Sequence, residues 1–446
     1  MADTYIYRDA TSAVAVQKAT ISFWVKKCGQ GTSQYCFFGG KTGDYSSYSF
    51  YMKFHTDDTI KIVGASPGTT IDYKTTRVFR DPTAWMHIII KLDMTETGTD
   101  RCIMYINGVE ETSYSTQTAM TGTEWYTGKT GYRQFIGYAP SEGTYSSVLL
   151  SHYLYVDGLA LAPTDFGETD ATSGIWKYKQ PVVSSYGTNG FYLKMEDSSN
   201  MDLDSSGNAL TMTTSGTLTA TKDNPANNFT TLNHLDNYYQ SATLTNGNNT
   251  VATHSGNMAF TTSIFGVSAG LWYWEIDVDT SGGHDMIGIS QVLADATANY
   301  LGEDAGQYAY YNVSGNIYTN GAGGAYGDTY TTGDIIGVYL DLTASKLYFA
   351  KNGTIQNSGT GYSITAVGST TNGFYFPALG DWNASGSSTY KVNFGNGYFG
   401  TDLISSPETD EGGLGQFKYN PSTGTFDSAS KDFRAICSKN IKAYGG

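Results

Sequence analysis

An all-β fold of two tandem antiparallel β-sandwiches is the prediction, and three observations carry it. The 446 residues include 53 Gly, 36 Tyr and 20 Phe, while charged residues make up only 15%. Tyr, Phe and Thr suit pleated, half-buried surfaces, and Gly and Asn suit tight turns. No window carries the 3.6-residue apolar period of an amphipathic helix, and the Ala/Leu/Glu/Lys runs of long helices are absent. Short alternating runs that end in turn dipeptides fall instead into two blocks, each long enough to bury its own core at roughly 150 residues per domain.

The first block spans residues 1–196. Its first clear strand covers 19–26, where Ile21, Phe23 and Val25 alternate with polar or interfacial residues. Strands follow at 85–93 and 102–106, the latter running into Asn107-Gly108, a strong hairpin signal. Further strands are expected at 133–137, at 146–156 before Asp157-Gly158, and at 190–195. Residues 197–235 are polar, turn-rich and Thr-rich, which predicts a connector with little core of its own. The second block, 236–400, predicts strands at 270–278, 285–290, 308–312, 316–318, 333–341, 346–351, 373–377 and 390–394, with a turn at Asn352-Gly353. Residues 401–446 are looser and end in a short apolar piece at 433–441. No short repeat is visible, which argues against a solenoid or propeller.

The net charge of −15 repels a phosphate backbone, and Lys and Arg form no cluster, so nucleic-acid binding is not expected. Cys28 and Cys36 are spaced to bridge a hairpin, but four cysteines in a chain this long do not make a disulfide scaffold. Free buried thiols are the favoured reading. No zinc spacing occurs. The N-terminus shows no basic region followed by an apolar stretch, so neither an export signal nor membrane insertion is expected.

The pieces Gly270-x-Trp-Tyr-Trp-Glu-Ile-Asp-Val278, Ile287-Gly-Ile289, Gly333-Asp-Ile-Ile-Gly-Val-x-Leu-Asp341 and Leu347-x-Phe-x-Lys-Asn-Gly353 resemble the SPRY domain family over about 120 residues. That resemblance implies a bent sandwich used for recognition, usually without catalysis. The first block resembles a concanavalin A-like, laminin-G-like jelly roll through Ile21-Ser-Phe-Trp-Val25, Trp85-x-His-Ile-Ile-Ile-Lys-Leu-Asp93, Met104-Tyr-Ile-Asn-Gly108, Phe135-Ile-Gly137 and Tyr155-Val-Asp-Gly158. Some laminin-G-like folds hold calcium, but the sequence places no ligands for it. The arrangement, with the stretch from Asp165 to Asn233, also resembles structural proteins of tailed phages from aquatic bacteria. That resemblance implies a virion-surface fibre, decoration or receptor-binding protein. Its implied partners are other virion proteins, a host glycan or receptor, and further copies of itself, a trimer being favoured. The short N-terminus, 1–16, and the C-terminal tail are then the expected attachment segments. The alternative is a secreted carbohydrate-binding lectin.

Catalysis has one candidate. Strand alternation places Glu275, Asp277 and Asp279 on one face. Retaining glucanases on a concanavalin A-like sandwich use a similar triplet, with two carboxylates about 5–5.5 Å apart. The shorter Asp at the third position widens that gap, and SPRY domains carry a similar Trp-Glu segment without catalysis. A non-enzyme is therefore expected, with a glycan hydrolase using Glu275 and Asp279 as the lesser alternative. Asp202-Leu-Asp-Ser-Ser-Gly-Asn208 resembles the start of a calcium loop, but position twelve is Thr213 rather than Glu, and an Asx-rich turn is the better reading. No metal site and no cofactor are expected. His87 lies in an apolar strand and reads as a hydrogen-bonded structural histidine. Ligand recognition is placed on two loops: one carries Asp381, Trp382 and Asn383, the other is flanked by Tyr326 and Tyr330. Against this stands the reading that Trp382 plugs the sandwich edge.

Overall fold

The computed structural model describes residues 4–28, 31–66, 69–122, 124–236, 242–254, 258–294, 299–382 and 386–445. It is almost wholly β, as the composition predicts, and divides into two compact units, residues 1–220 and 221–446.

The N-terminal unit is a sandwich of an eight-stranded and a six-stranded antiparallel sheet. The larger runs in the order Tyr114–Thr118, Thr69–Val78, Thr59–Ser66, Asp44–Phe54, Gln34–Lys41, Tyr132–Ile136, Tyr5–Asp9, Thr213–Ser215. The smaller runs Phe191–Leu193, Val148–Asp157, Lys18–Lys27, Met86–Asp93, Cys102–Ile106, Val109–Glu110. Alternation sends Ile21, Phe23, Val25, Ile88, Ile90 and Leu92 inward, where they meet Phe37, Phe50, Met52, Ile62 and Trp125. The hairpin at Asn107-Gly108 forms with both residues at positive φ, 50° and 78°. Asn and Gly are the residues that take this conformation at least cost. All four cysteines are free thiols and buried, and burial pushes the Cys102 thiol up to about 12.

The other half of the alternation in the smaller sheet is also covered. His87 and Trp24 stack at 4.8 Å and 3°, and Trp176 lies over the same histidine. The Trp176 indole N–H donates to His87 Nδ1 at 2.9 Å. An indole nitrogen only donates, so Nδ1 is the acceptor and Nε2 carries the proton that goes to Ser22 Oγ, also at 2.9 Å. His87 is thus a structural histidine held neutral, its pKa lowered to about 3, chiefly by burial.

The C-terminal unit pairs a nine-stranded sheet with a six-stranded one. The main path of the first is Thr243–Thr245, Thr250–Ala252, Thr389–Asn393, Leu271–Thr280, Ile335–Asp341, Lys346–Lys351, Thr354–Ile355. The second runs Ala259–Thr262, Phe376–Asp381, Asp285–Ser290, Gln307–Tyr311, Asn316–Thr319, Ala322–Ala325. Trp272, Trp274, Ile276 and Val278 fill the space between them with Ile287, Ile289, Tyr310 and Val392.

Three organisational expectations change. The 197–235 segment does not behave as a connector. Residues up to 220 belong to the first unit, where Thr213–Ser215 pairs with Tyr5–Asp9, and residues from 221 belong to the second, where Phe229 is buried. Within the N-terminal segment, Tyr5–Asp9 is likewise a sheet strand, paired on both sides. The C-terminal tail packs as a strap: Phe417, Phe426 and Phe433 lie against Tyr273, Tyr339 and Tyr348 of the larger sheet. Its Arg434–Ala435 strand adds in parallel to Leu271–Thr280, and the chain closes in a short helix, Ser438–Tyr444. Asp410 ties the strap together, accepting from the backbone N–H groups of Leu414, Gly415 and Ala435 and from the Asn440 amide. Among the described residues no helix is long and apolar enough to cross a membrane.

Candidate functional site

The acidic triplet does not form a catalytic pair. Glu275 is fully buried beneath the strap. Its two oxygens accept the backbone N–H groups of Lys418 and Tyr419, each at 2.8 Å, the Tyr273 hydroxyl at 3.0 Å and the Asn393 amide at 3.2 Å. Four neutral donors hold it, yet burial is the larger influence and raises its pKa to about 7. Asp279 is ion-paired with Lys391 at 2.7 Å, and Lys391 also reaches Asp402 at 2.9 Å. Glu275 is therefore a clamp that fixes the strap, closed to any substrate. The 202–208 segment is also used internally. Asp204 accepts the N–H groups of Tyr192, Ser206 and Leu210, and Asp202 accepts the Thr214 hydroxyl.

The nominated ligand residues separate into two groups. Tyr326 and Tyr330 are corrected from loop surface to core. The Tyr326 hydroxyl accepts the Phe349 N–H at 3.2 Å, and the Tyr330 hydroxyl lies 2.7 Å from the Tyr310 carbonyl, to which it donates. Both belong to the main core of the unit, and glycine-rich surroundings gave no sign that these rings turn inward. Asp381 ends its strand, opposite Asp285, and is buried. Asn383 lies outside the described residues.

Trp382 is different: it is only partly buried and caps a second aromatic cluster, on the face of the six-stranded sheet turned away from the main core. It stacks on Tyr300 at 4.6 Å and 26°, and meets Tyr311 and Tyr318 at 5.1 Å each. Register explains the grouping. Tyr311 pairs with Met286, and Tyr318 with Ala309, so these four side chains share one face, while Tyr310 and Ile317 point into the core. The Trp382 N–H donates to the His284 carbonyl, and His284 Nδ1 lies 2.5 Å from the Tyr311 hydroxyl. Glu303 Oε2 accepts the Tyr300 N–H at 3.3 Å, and Asp304 is exposed beside it. Burial first, then the charges of Glu303 and Asp304, raise the Tyr300 phenol pKa. Tyr300, Tyr311 and Tyr318 were not singled out in the sequence. The period-2 register of 308–312 and 316–318 would have placed two of them with Trp382.

Comparison with known proteins agrees with this architecture. The model of the SPRY domain matches residues 271–396, and that of the concanavalin A-like lectin/glucanases superfamily matches residues 2–154. The chain thus carries an N-terminal concanavalin A-like domain and a C-terminal SPRY domain. Among curated proteins it is similar to the Ran-binding proteins 9/10 homolog of Drosophila melanogaster, 34% identical over 88 residues, 19% of this chain and 9% of that one. Ran-binding protein 9 of Mus musculus is 32% identical over 88 residues, 19% of this chain and 14% of that one. The match therefore spans only a small part of these relatives. Among solved structures, the SPRY domain of human HERC1 is 20% identical with a TM-score of 0.29, covering 36% of this chain and 96% of that one. Stonustoxin is 18% identical with a TM-score of 0.28, covering 37% and 27%. The virion role and the virion-surface location expected from the 165–233 resemblance are corrected by the curated relatives, which are Ran-binding proteins of animals.

Proposed function

We propose that the chain is a non-catalytic, two-domain binding protein whose SPRY domain docks a protein partner at the Trp382 cluster. The observation that carries this is Trp382 itself, a partly exposed indole among three tyrosines outside the main core. Trp and Tyr are the residues that most often anchor protein interfaces. SPRY domains mediate protein–protein interaction, and the matched stretch, 271–396, includes Trp382 and its three tyrosines, Tyr300, Tyr311 and Tyr318. The one acid with a catalytic look, Glu275, is occupied by its own strap. The names of the relatives make purified Ran a natural first protein to test against the full chain.

Selection of a random peptide display library on the immobilised full chain tests the reading without a known partner. Enriched peptides are expected to lose at least about tenfold in affinity for Trp382→Ala, the truncation cost of an interface hot spot. Enriched peptides that bind Trp382→Ala as tightly as the native chain would reject the site, and so would a library that yields none.

A further inference from the structure

We infer that the Trp382 cluster receives a positively charged side chain, Arg or Lys, from a basic segment of a protein partner. This rests on the docking reading above and goes beyond it by fixing the charge of the occupant. The sequence contains no Lys or Arg from 223 to 345, nor from 352 to 390. Those two stretches contain every strand of the six-stranded sheet, together with Trp382 and Tyr300. The unit's three sheet lysines all lie on the other sheet and are engaged there: Lys346 with Ser363, Lys351 with Asp334, and Lys391 with Asp279 and Asp402.

Aromatic patches elsewhere in this chain hold a cation of their own. Lys53 sits over Tyr35 and Tyr51 at 4.6 and 5.4 Å, Arg133 over Tyr7 at 4.5 Å, and Lys41 over Tyr48 at 4.6 Å. Under the strap, Lys431 sits over Tyr348 at 5.0 Å. The Trp382 cluster has four rings and two flanking carboxylates, Glu303 and Asp304, with no Lys or Arg of its own among the described residues. An indole or phenol face attracts a cation within about 6 Å of the ring, and Trp is the strongest of the three aromatics. The carboxylates add an attraction of the same sign and repel an acidic partner. Aromatic rings, acids and missing cations therefore converge on one complementary ligand class.

The test is fluorescence anisotropy of the full chain with three labelled Gly/Ser peptides of equal length, bearing three Arg, three Gln or three Glu. The Arg peptide is expected to bind at least about tenfold more tightly than the Gln peptide, and the Glu peptide least. Trp382→Ala is expected to weaken the Arg peptide about tenfold or more. Glu303→Gln, which keeps an acceptor for the Tyr300 N–H and so spares the fold, is expected to weaken it about three- to fivefold. Raising salt should reduce the preference. Gln or Glu peptides that bind as well as Arg and still need Trp382 would overturn the charge inference while leaving the docking site standing. Arg binding that is absent, or that is indifferent to both substitutions, would overturn it outright.

Discussion

Glu275→Ala is expected to destabilise the C-terminal unit by about 3–5 kcal/mol and to free the strap. The substitution strips an acceptor from the strap N–H groups of Lys418 and Tyr419, which are part-buried, and from the buried Asn393 amide. A buried donor left without a partner costs roughly 1–3 kcal/mol. Limited trypsin digestion reads the effect directly, because Lys418 lies in the released segment: cleavage after Lys418 should become much faster in the variant. The clamp also has a pH signature. Burial raises the Glu275 pKa from 4.5 to about 7. A carboxyl raised in the folded state gives a contribution fully present below about 4.5 and lost as pH rises through 7. Glu275→Gln should therefore flatten the urea midpoint of this unit between pH 4.5 and 7. An unchanged slope, or an Ala variant as trypsin-resistant as the native chain, would show that the strap is held without the Glu275 clamp.

The N-terminal unit is expected to show the opposite pH dependence. His87 is held neutral between Trp176 and Ser22, and burial lowers its pKa to about 3. His152, stacked on Tyr178 at 3.9 Å, is lowered to about 4, again mainly by burial. A depressed histidine contributes stability that is present above 6.5 and is lost as pH falls through the folded value. At about 1.4 kcal/mol per pH unit, His87 alone accounts for a loss on the order of 5 kcal/mol between pH 6.5 and 3. Hydrogen exchange of the Met86–Asp93 strand should accelerate across that window. His87→Phe keeps a ring beside Trp24 but cannot charge. It should cost about 1–2 kcal/mol at pH 7 through the lost hydrogen bonds and remove most of the acid sensitivity. An acid transition that the substitution leaves in place would assign it to other groups.

Much of this fold is legible in the chain because strand alternation and turn chemistry are local. Ile21, Phe23 and Val25 announce one buried face, and Asn107-Gly108 announces a positive-φ hairpin that the backbone then adopts. What escapes local reading is held by long-range polar contacts. The strap looks loose because Phe417, Phe426 and Phe433 are isolated aromatics in Gly- and Ser-rich sequence. Their partners, Tyr273, Tyr339 and Tyr348, lie about 70 or more positions earlier. The supposed connector looks polar because Asp202 and Asp204 spend their oxygens on backbone and hydroxyl donors rather than on solvent. The ligand loops divide for a similar reason. Tyr326 and Tyr330 follow glycines, as exposed loop residues would, but their hydroxyls find buried backbone partners. Trp382 follows a buried strand end, and only the register of the neighbouring strands shows that it joins Tyr311 and Tyr318 on the outer face.

Hydrogen–deuterium exchange of the full chain, with and without a saturating display-selected peptide, tests the docking site most directly. Protection should concentrate in residues 299–311, 316–319 and 376–382, the segments that carry Tyr300, Tyr311, Tyr318 and Trp382. Protection confined to the N-terminal unit, or to the strap at 408–437, would contradict the account and move the binding face away from Trp382.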